Sequence, residues 1–355
     1  MPERIESNPR FQRGQVTPNK RNILVVGGAG YIGSHMLKHL DQLGHWSFAL
    51  DDLSHGHRDA VRSARLVVGD MGDRALLDRV LTENRFDAVM HFASLIQVGE
   101  SVRNPSAYYH NNFVQTKQLL DAIVRHGVRK FIFSSTAAVY GVPQSALLAE
   151  SHPCDPINPY GRSKWMVEQL LRDYGDAYGL KSVSLRYFNA AGADPAGELG
   201  ERHDPETHLI PLALQAACGT GPALTVYGTD YPTPDGSCIR DFVHVSDLAT
   251  AHALALDYLI AGGETCSLNL GTGTGYSVLQ ILDAIERVTG RRVPHHLGPR
   301  RPGDPPVLVA DPRRARDLLG WSARRSELTT LLQDAWRWEQ KINGPARRDQ
   351  AKDSA

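Results

Sequence analysis

Cysteine is scarce in this chain, and long apolar runs are missing from it. The cysteines have no paired spacing, which argues against a zinc knuckle or a disulfide framework; they are Cys154, Cys218, Cys238 and Cys266. No run reaches the roughly 18 apolar residues of a membrane span, and the polar N-terminal segment lacks the apolar core of a secretion signal. We therefore expect a protein that is not exported, does not bind membranes and works in the reducing cytoplasm.

The chain also lacks net charge. Basic and acidic side chains balance at 39 each, so no overall field attracts nucleic acid or an anionic membrane. Any anionic ligand must therefore be held by local groups. Lysine is rare as well, with eight residues against 31 arginines. A lysine at a candidate site thus indicates a need for a compact ammonium group.

Short apolar runs alternate with segments of helical period. The runs predict strands at Asn22–Val26, Phe48–Leu50, Leu66–Val68, Ala88–Phe92, Phe131–Phe133, Val183–Phe188 and Ser267–Leu270. Helical periods cover Ile32–Leu43 and Tyr160–Tyr178, and later Leu209–Ala217 and Val278–Thr289. This alternation predicts an α/β fold with a doubly wound parallel sheet, covered by helices on both faces.

A glycine-rich turn joins the first predicted strand to the first helix. Gly27, Gly30 and Gly33 form a variant of the fingerprint in which backbone amides and a helix N-terminus receive a pyrophosphate. Asp51, at the end of the second strand, favours NAD over NADP because a carboxylate there repels a 2′-phosphate. Asp70, after the third strand, is a candidate adenine-side contact. These features predict a Rossmann-type NAD site; the alternative is a plain turn with a solvated aspartate.

A candidate acid–base site lies in the middle of the chain. Tyr160 and Lys164 are one helical turn apart, so the ammonium can stabilise a tyrosinate whose unperturbed pKa is about 10. Thr136 follows the strand Phe131–Ser135, at the sheet edge where such folds bind ligands, and can pass a proton to Tyr160. The alternative is a packed tyrosine, a surface lysine and a threonine that only caps its strand.

With these features in place, the chain resembles the UDP-glucose 4-epimerases of the extended short-chain dehydrogenase/reductase family. The resemblance runs from about Arg21 to Asn343. The stretches that single out these epimerases are His91–Ala93, Val98–Ser101, Tyr108–Asn112, Arg186–Asn189, Asp230–Gly236 and Arg240–His244.

The resemblance implies an enzyme that interconverts UDP-galactose and UDP-glucose through a transient 4-keto sugar, with tightly bound NAD as the internal hydride carrier. Tyr160 is then the base, Thr136 its hydroxyl partner, and Lys164 both perturbs Tyr160 and contacts the nicotinamide ribose. Besides the glycines and Lys164, the implied cofactor contacts are Tyr31, Ile32, Asp51, Asp70, Met71, Phe92, Asn112 and Phe188. The implied substrate contacts are Thr136, Asn189, His208, Tyr227, Arg240, Arg301, Asp304 and Leu308. A homodimer is implied as well.

Several positions depart from the family pattern. Thr136 stands where a serine is frequent, which keeps the hydroxyl, and Val26 replaces the common threonine before the glycines. Ile96 stands where a lysine near the cofactor is common, and His208 replaces a frequent asparagine. Leu308 occupies the wall position whose bulk limits the C2 substituent of the sugar. The sugar specificity therefore stays open, and epimerases of UDP-N-acetylglucosamine, UDP-pentoses or UDP-glucuronate are alternatives.

Other classes remain as competing hypotheses. A 4,6-dehydratase needs an additional acid and base, and Ala137 and Ala138 stand where that class has acidic residues. A net NAD(P)H reductase would consume reductant, and an NAD-sensing regulatory protein would have no reason to keep the acid–base residues together. The pairs His55/His57 and His295/His296 lack further ligands at useful spacing, so we expect no metal site.

The length allows two domains, or one domain with a substantial lobe. We expect a disordered lead over residues 1–19 and an NAD-binding Rossmann domain over 20–190. A Gly/Pro-rich UDP-sugar-binding lobe follows over 191–343, with segments near 240–271 returning to the first domain. A solvated tail over 344–355 ends the chain.

Overall fold

The structure is a computed structural model, and it describes residues 20–301 and 304–343. The predictions of a disordered lead over 1–19 and a solvated tail over 344–355 lie outside the described residues. Within the described ranges, no helix is both long and apolar enough to cross a membrane.

Strands and helices alternate along most of the chain. In chain order the strands are β1 (Asn22–Val26), β2 (Trp46–Asp51), β3 (Arg65–Val68), β4 (Ala88–His91), β5 (Lys130–Thr136), β6 (Lys181–Tyr187), β7 (Asn189–Ala191), β8 (Leu224–Tyr227), β9 (Ile239–Arg240), β10 (Phe242–His244), β11 (Cys266–Leu270), β12 (Tyr276–Ser277), β13 (His295–Gly298) and β14 (Val307–Leu308). The helices are α1 (Tyr31–Gln42), α2 (Arg74–Glu83), α3 (Val98–Arg103), α4 (Pro105–Tyr109), α5 (Thr116–Arg125), α6 (Pro159–Tyr178), α7 (Leu209–Cys218), α8 (Val245–Ile260), α9 (Val278–Thr289), α10 (Arg313–Leu319) and α11 (Leu328–Asn343). A π-helical segment, His110–Gln115, joins α4 to α5.

Seven strands of the described residues form one parallel sheet in the order β11-β6-β5-β4-β1-β2-β3. In its register Ile23 of β1 pairs with Ser47 of β2 on one side and Ala88 of β4 on the other. The strand order reverses direction beside β1, and such sheets bind ligands at the carboxyl ends of the strands at that point. The predicted doubly wound, Rossmann-type fold is confirmed.

The sheet is buried on both faces, which explains why its strands are apolar runs rather than alternating ones. Ile23 and Val25 pack on one face with α1 and α8, whereas Leu24 and Val26 pack on the other with α2, α5 and α6. Neighbouring residues of β1 therefore belong to different cores, as the period of two in a strand requires.

Helix α6 has clear start and stop signals. The Asn158 side chain accepts a hydrogen bond from the Gly161 N–H at 2.8 Å, and Pro159 occupies the first turn. Gly179 ends the helix in the left-handed conformation, with φ of 69°. These caps fix the first turn of α6, and with it Tyr160, at the carboxyl edge of the sheet.

The later part of the chain contributes both a smaller lobe and pieces of the sheet layer. Helices α7, α9 and α11 share a core of their own with β8. Helix α8, in contrast, packs against α1, β5 and β6, and β11 pairs with β6. The chain therefore leaves the sheet layer after β6 and returns to it before Leu270.

Candidate active site

One cavity of about 920 Å³ runs along the carboxyl edge of the sheet and into the smaller lobe. This volume is at the upper end of the range for small-molecule sites. Its lining includes every predicted catalytic and substrate-binding residue. It also includes every predicted cofactor-binding residue except Asn112.

The three glycines of the turn serve different purposes. Gly27 has a φ of +78°, and a Cβ there would lie 2.4 Å from the Ala93 nitrogen. A Cβ on Gly33 would lie 2.1 Å from the Gly27 carbonyl oxygen, so the turn and helix could not pack. Gly30 is different, because its Cβ would meet only that same oxygen, at 3.4 Å. The protein itself therefore does not require glycine at position 30.

Gly30 caps the N-terminus of α1 without a side-chain hydrogen bond, and it lines the cavity. The first N–H groups of α1 thus stay open toward the cavity, beside a residue that adds no bulk. This arrangement fits a pyrophosphate, because a helix N-terminus attracts anions and the backbone can approach closely. The glycine turn therefore passes a structural test for a dinucleotide site.

Gly30→Ala should fold and yet lose NAD. The added methyl group projects into the cavity and costs only about 1 kcal/mol of helix capping. We expect the NAD content of the purified variant to fall severalfold while its Tm with no added cofactor changes little. Gly33→Ala is the contrast, because it should lower both the NAD content and the Tm. An NAD content in Gly30→Ala equal to that of the wild type would argue against the pyrophosphate assignment.

Asp51 is held in place by the backbone around it. Its carboxylate accepts hydrogen bonds from the Ala29 N–H at 2.8 Å and the Leu53 N–H at 2.9 Å. Burial raises the pKa of the Asp51 carboxyl, and these two hydrogen bonds oppose the rise. Each oxygen keeps a further lone pair for a ribose hydroxyl. Asp70 also lines the cavity, and it accepts from the Gly72 N–H and the Gln115 amide.

Tyr160 lies in the first turn of α6, half-buried in the cavity wall. Burial raises the pKa of the Tyr160 phenol, and a hydrogen bond with the Thr136 hydroxyl lowers it. The Thr136 Oγ1 also accepts from the Ala138 N–H at 3.1 Å. A hydroxyl has one donor and two acceptor sites, so Thr136 can serve Ala138 and Tyr160 together. The pair can therefore carry a proton between the cavity and the phenol.

Lys164 is buried, and two of the three donors of its ammonium group have hydrogen-bond partners. Its Nζ donates to the Ser94 Oγ at 2.6 Å and to the Ser134 carbonyl at 2.8 Å. Burial lowers the pKa of Lys164 to about 7, and the Glu168 carboxylate opposes this shift. The hydrogen-bond partners of the ammonium are thus serine groups and not the Tyr160 phenol. The expected effect of Lys164 on Tyr160 stays a prediction.

Asn112 is buried and is not among the residues that line the cavity, and its cofactor contact stays a prediction. Its side chain accepts from the Leu95 N–H at 2.8 Å and donates to the Leu95 carbonyl and the Ser163 hydroxyl. Asn112 thereby ties the segment after β4 to α6. The sequence could not distinguish this role from a cofactor contact, since both place an amide near the same strand end.

The lobe side of the cavity holds several cations. Arg240 pairs with Asp304 at 2.5 Å, and the Arg301 guanidinium lies 4.0 Å from the centre of the Tyr227 ring. The Asp304 carboxylate therefore partly neutralises the Arg240 guanidinium, although the resemblance assigns Asp304 to the substrate. His208 adds another cation, since the carboxylates of Glu201 and Glu206 overcome the effect of burial and raise its pKa to about 10. Phe188, Asn189 and Leu308 complete this part of the lining.

A buried ion pair supports the acid–base residues from behind. The Arg186 guanidinium donates to the Glu168 carboxylate at 2.7 and 3.0 Å, and both side chains are about 2% exposed. Glu168 also accepts from the Ser135 Oγ at 2.5 Å and the Ser267 Oγ at 3.1 Å. These contacts join α6 to β5, β6 and β11. The pair thus fixes the helix that carries Tyr160 against the strand that carries Thr136.

The sequence analysis missed a cluster beside His208. Glu201, His203, Glu206 and His208 each offer a ligand atom, and these atoms lie within 4.8 Å of one another. The signal was available as Glu-x-His-x-x-Glu-x-His within eight residues. The histidine pairs His55/His57 and His295/His296 lie outside this cluster.

The sequence profile of the NAD dependent epimerase/dehydratase family matches residues 23–271. The chain belongs to this family. Among its epimerase/dehydratase relatives, the UDP-glucose 4-epimerase of Rhizobium meliloti (strain 1021) is 52% identical over 324 residues, which are 91% of this chain and 98% of that protein.

Solved epimerase/dehydratase structures agree with the fold. The crystal structure of UDP-glucose 4-epimerase from Brucella ovis in complex with NAD has a TM-score of 0.88 at 51% identity, covering 89% of this chain and 97% of that one. The Bifidobacterium longum UDP-glucose 4-epimerase in complex with NAD⁺ and UDP has a TM-score of 0.87 at 38% identity, covering 91% and 99%. The similarity therefore includes the smaller lobe as well as the sheet.

Proposed function

We propose that this chain is a UDP-glucose 4-epimerase that interconverts UDP-galactose and UDP-glucose with NAD as a bound cofactor. The observation that carries the proposal is a single cavity. It joins the open N-terminus of α1 and Asp51 to the acid–base residues Thr136 and Tyr160, and then to the cationic end formed by the smaller lobe. The 52% identity to a UDP-glucose 4-epimerase over 91% of the chain supports the same reaction.

The two ends of the cavity support a division of the chain into a part that binds the cofactor and a part that binds the substrate. We assign residues 20–190 to NAD and residues 191–343 to the UDP-sugar, with the segments near 240–271 belonging to the sheet domain. Helix α8 and β11, which pack on or join the sheet, support this assignment. When bound, NAD supplies a hydride acceptor and returns the same hydride, so the reaction needs no net oxidant.

The side chains around the sugar have distinct tasks. Tyr160 takes the proton of the sugar 4-hydroxyl through Thr136. It returns the proton after the ring of the keto sugar has rotated to present its other face. Arg240 and Arg301 bind the diphosphate, because forked guanidinium groups neutralise its oxygens. His208 contacts the UDP-sugar beside them. This binding keeps the keto sugar in the cavity while its ring rotates.

The decisive test uses the purified enzyme with no added reductant. We expect mass spectrometry of the denatured supernatant to find about one NAD per chain, and UDP-galactose to be converted to UDP-glucose without accumulation of NADH. Stoichiometric NADH would indicate a net dehydrogenase instead. An absence of turnover with every UDP-hexose would favour an NAD-sensing protein.

Lys164→Met should move the acidic limb of the kcat–pH profile to higher pH. Tyr160 acts as a base only when ionised, so activity rises with pH through its pKa. Burial already raises that pKa, and loss of a nearby positive charge raises it further. The profile is measured with UDP-galactose at saturation, and NAD content is determined in parallel. An acidic limb at its wild-type position would show that Lys164 acts only through Ser94 and Ser134.

Leu308 should set the upper size limit of the sugar. It lines the cavity half-buried on β14, and leucine leaves room that a tyrosine ring would fill. We expect a main activity on the UDP-glucose pair and a weaker one on the N-acetylated pair. Leu308→Tyr should lower kcat/KM for the N-acetylated pair by about 10- to 200-fold and spare the other.

Leu308→Met is the matched control, because it conserves volume and should change both activities little. Equal losses for the two pairs in Leu308→Tyr would mean that the selectivity is set elsewhere in the cavity.

We also propose a cytoplasmic homodimer, on the strength of the family resemblance. The mass of one chain is 39.1 kDa, and light scattering of the NAD-loaded protein should give twice that mass. A monomer mass at micromolar concentration would contradict this proposal.

A further inference from the structure

The loop that leads into α7 carries two carboxylates and two imidazoles with ligand atoms at close range. The His208 Nδ1 lies 2.8 Å from Glu201 and 2.9 Å from Glu206, and the His203 Nδ1 lies 3.0 Å and 3.8 Å from the same carboxylates. Four ligands at about 2.0–2.1 Å from a tetrahedral Zn²⁺ are separated by roughly 3.3 Å. These four imidazole–carboxylate separations bracket that value, and all four ligand atoms lie within 4.8 Å of one another, so side-chain shifts of about 1.5 Å or less would complete the coordination.

Within the described residues, the ion pairs of the two carboxylates are those with His203 and His208 alone. The side chains of Glu201 and Glu206 are each 7% exposed. Among the ion pairs of the described residues, neither carboxylate pairs with a lysine or an arginine. Buried carboxylates are normally paired with a cation or coordinate a metal. One divalent cation would balance both charges and leave the two imidazoles neutral, which is the form that binds metals.

The backbone of this loop is held by contacts outside the cluster. The Trp338 indole donates to the Glu201 carbonyl at 3.0 Å, and His57 contacts the Arg202 carbonyl at 2.8 Å. The Arg202 guanidinium pairs with Asp59 at 2.6 Å. These bonds hold the alternate side chains of Glu201 and His203 toward the cluster, so its ligands are positioned before any ion binds.

We propose that Glu201, His203, Glu206 and His208 form a binding site for one divalent transition-metal ion, with Zn²⁺ as the best match. Imidazole and carboxylate ligands suit Zn²⁺, and a four-ligand tetrahedral set is typical of structural zinc sites. The ion would tie the loop before α7 to His208, the N-cap residue of that helix, at the wall of the cavity. His208 also contacts the UDP-sugar in the proposed function, so zinc binding is measured without UDP-sugar and its outcome does not depend on the epimerase assay.

The test uses untagged, NAD-loaded protein that has been treated with a chelator and dialysed. Zn²⁺ is then titrated against a competing chromophoric chelator, and bound zinc is measured by mass spectrometry. We expect one Zn²⁺ per chain. Loss of a residue that only orients a zinc ligand costs 10- to 100-fold in affinity. The direct-ligand variants His203→Gln and Glu206→Gln should therefore lose at least about 100-fold.

His296→Gln is the matched control, since His296 is an exposed histidine on β13, outside the cluster; it should bind Zn²⁺ like the wild type. Co²⁺ provides a second measurement on the unmodified chain, because one equivalent should give the intense visible bands of tetrahedral coordination. Unchanged affinity in His203→Gln and Glu206→Gln, no stoichiometric zinc in the wild type, or only octahedral Co²⁺ bands would each overturn the proposal.

Discussion

Tyr160→Phe should lower kcat by at least about 100-fold, the lower end of the effect of a positioned acid–base group. The substitution removes the phenolic oxygen that we propose exchanges a proton with Thr136, and it leaves the ring in its place in the wall. The cations proposed to bind the diphosphate lie in the other part of the cavity. KM for UDP-galactose should therefore change little.

Tyr178→Phe provides the matched control, because Tyr178 lies at the other end of α6 and is 53% exposed. Its kcat should equal that of the wild type. Steady-state kinetics at equal NAD loading compare the two variants. A Tyr160→Phe enzyme with more than a tenth of the wild-type kcat would show that another group is the base.

Arg186→Met should lower the free energy of unfolding by about 3–5 kcal/mol, the usual cost of removing one partner of a buried ion pair. Glu168 would stay buried with its remaining hydroxyl donors, Ser135 and Ser267, and no cation. The apolar stem of methionine fills much of the vacated space. The loss is therefore mainly that of an uncompensated charge and not of a cavity.

Lys181→Met tests the same chemistry at the surface. Lys181 and Glu264 form an ion pair whose side chains are 43% and 76% exposed, and such pairs contribute about 0–1 kcal/mol. Urea unfolding at matched NAD loading gives both values, provided that the m-value is unchanged. Adding Glu168→Leu to Arg186→Met should recover part of the loss. Equal losses in the buried and the exposed variants would contradict the account.

The elements of this fold were predictable because their signals are local. Asn22–Val26 and Val278–Thr289 have the predicted bounds in the structure. In the second case the Ser277 and Gln280 side chains form a capping box and Gly290 ends the helix. The gathering of Gly30, Thr136 and Tyr160 in one cavity also followed, because parallel strands deliver their carboxyl ends to one edge.

Side-chain partners were less predictable, since they depend on where loops meet. The sequence predicts Asn112 and Lys164 near the cofactor. It does not predict the hydrogen bonds of Asn112 to Leu95 and Ser163, or those of Lys164 to Ser94 and Ser134, because several of these depend on the path of the chain after β4. The Arg240–Asp304 pair joins residues 64 positions apart. The Glu201–His208 cluster was missed for another reason: its pattern mixes carboxylates with histidines in a loop, with spacings of two, three and two residues.

The pairing of β11 with β6 has a consequence for how the protein is made. When a ribosome has synthesised β6, the partner of that strand is still about 80 residues away, roughly 4–16 s of translation at 5–20 residues per second. During that interval β6 is an open sheet edge with apolar side chains such as Val183 and Leu185, a template for aggregation. The nascent chain is therefore most vulnerable between these two strands. A fragment that stops near residue 190 should behave as an insoluble folding intermediate and not as an isolated cofactor-binding domain.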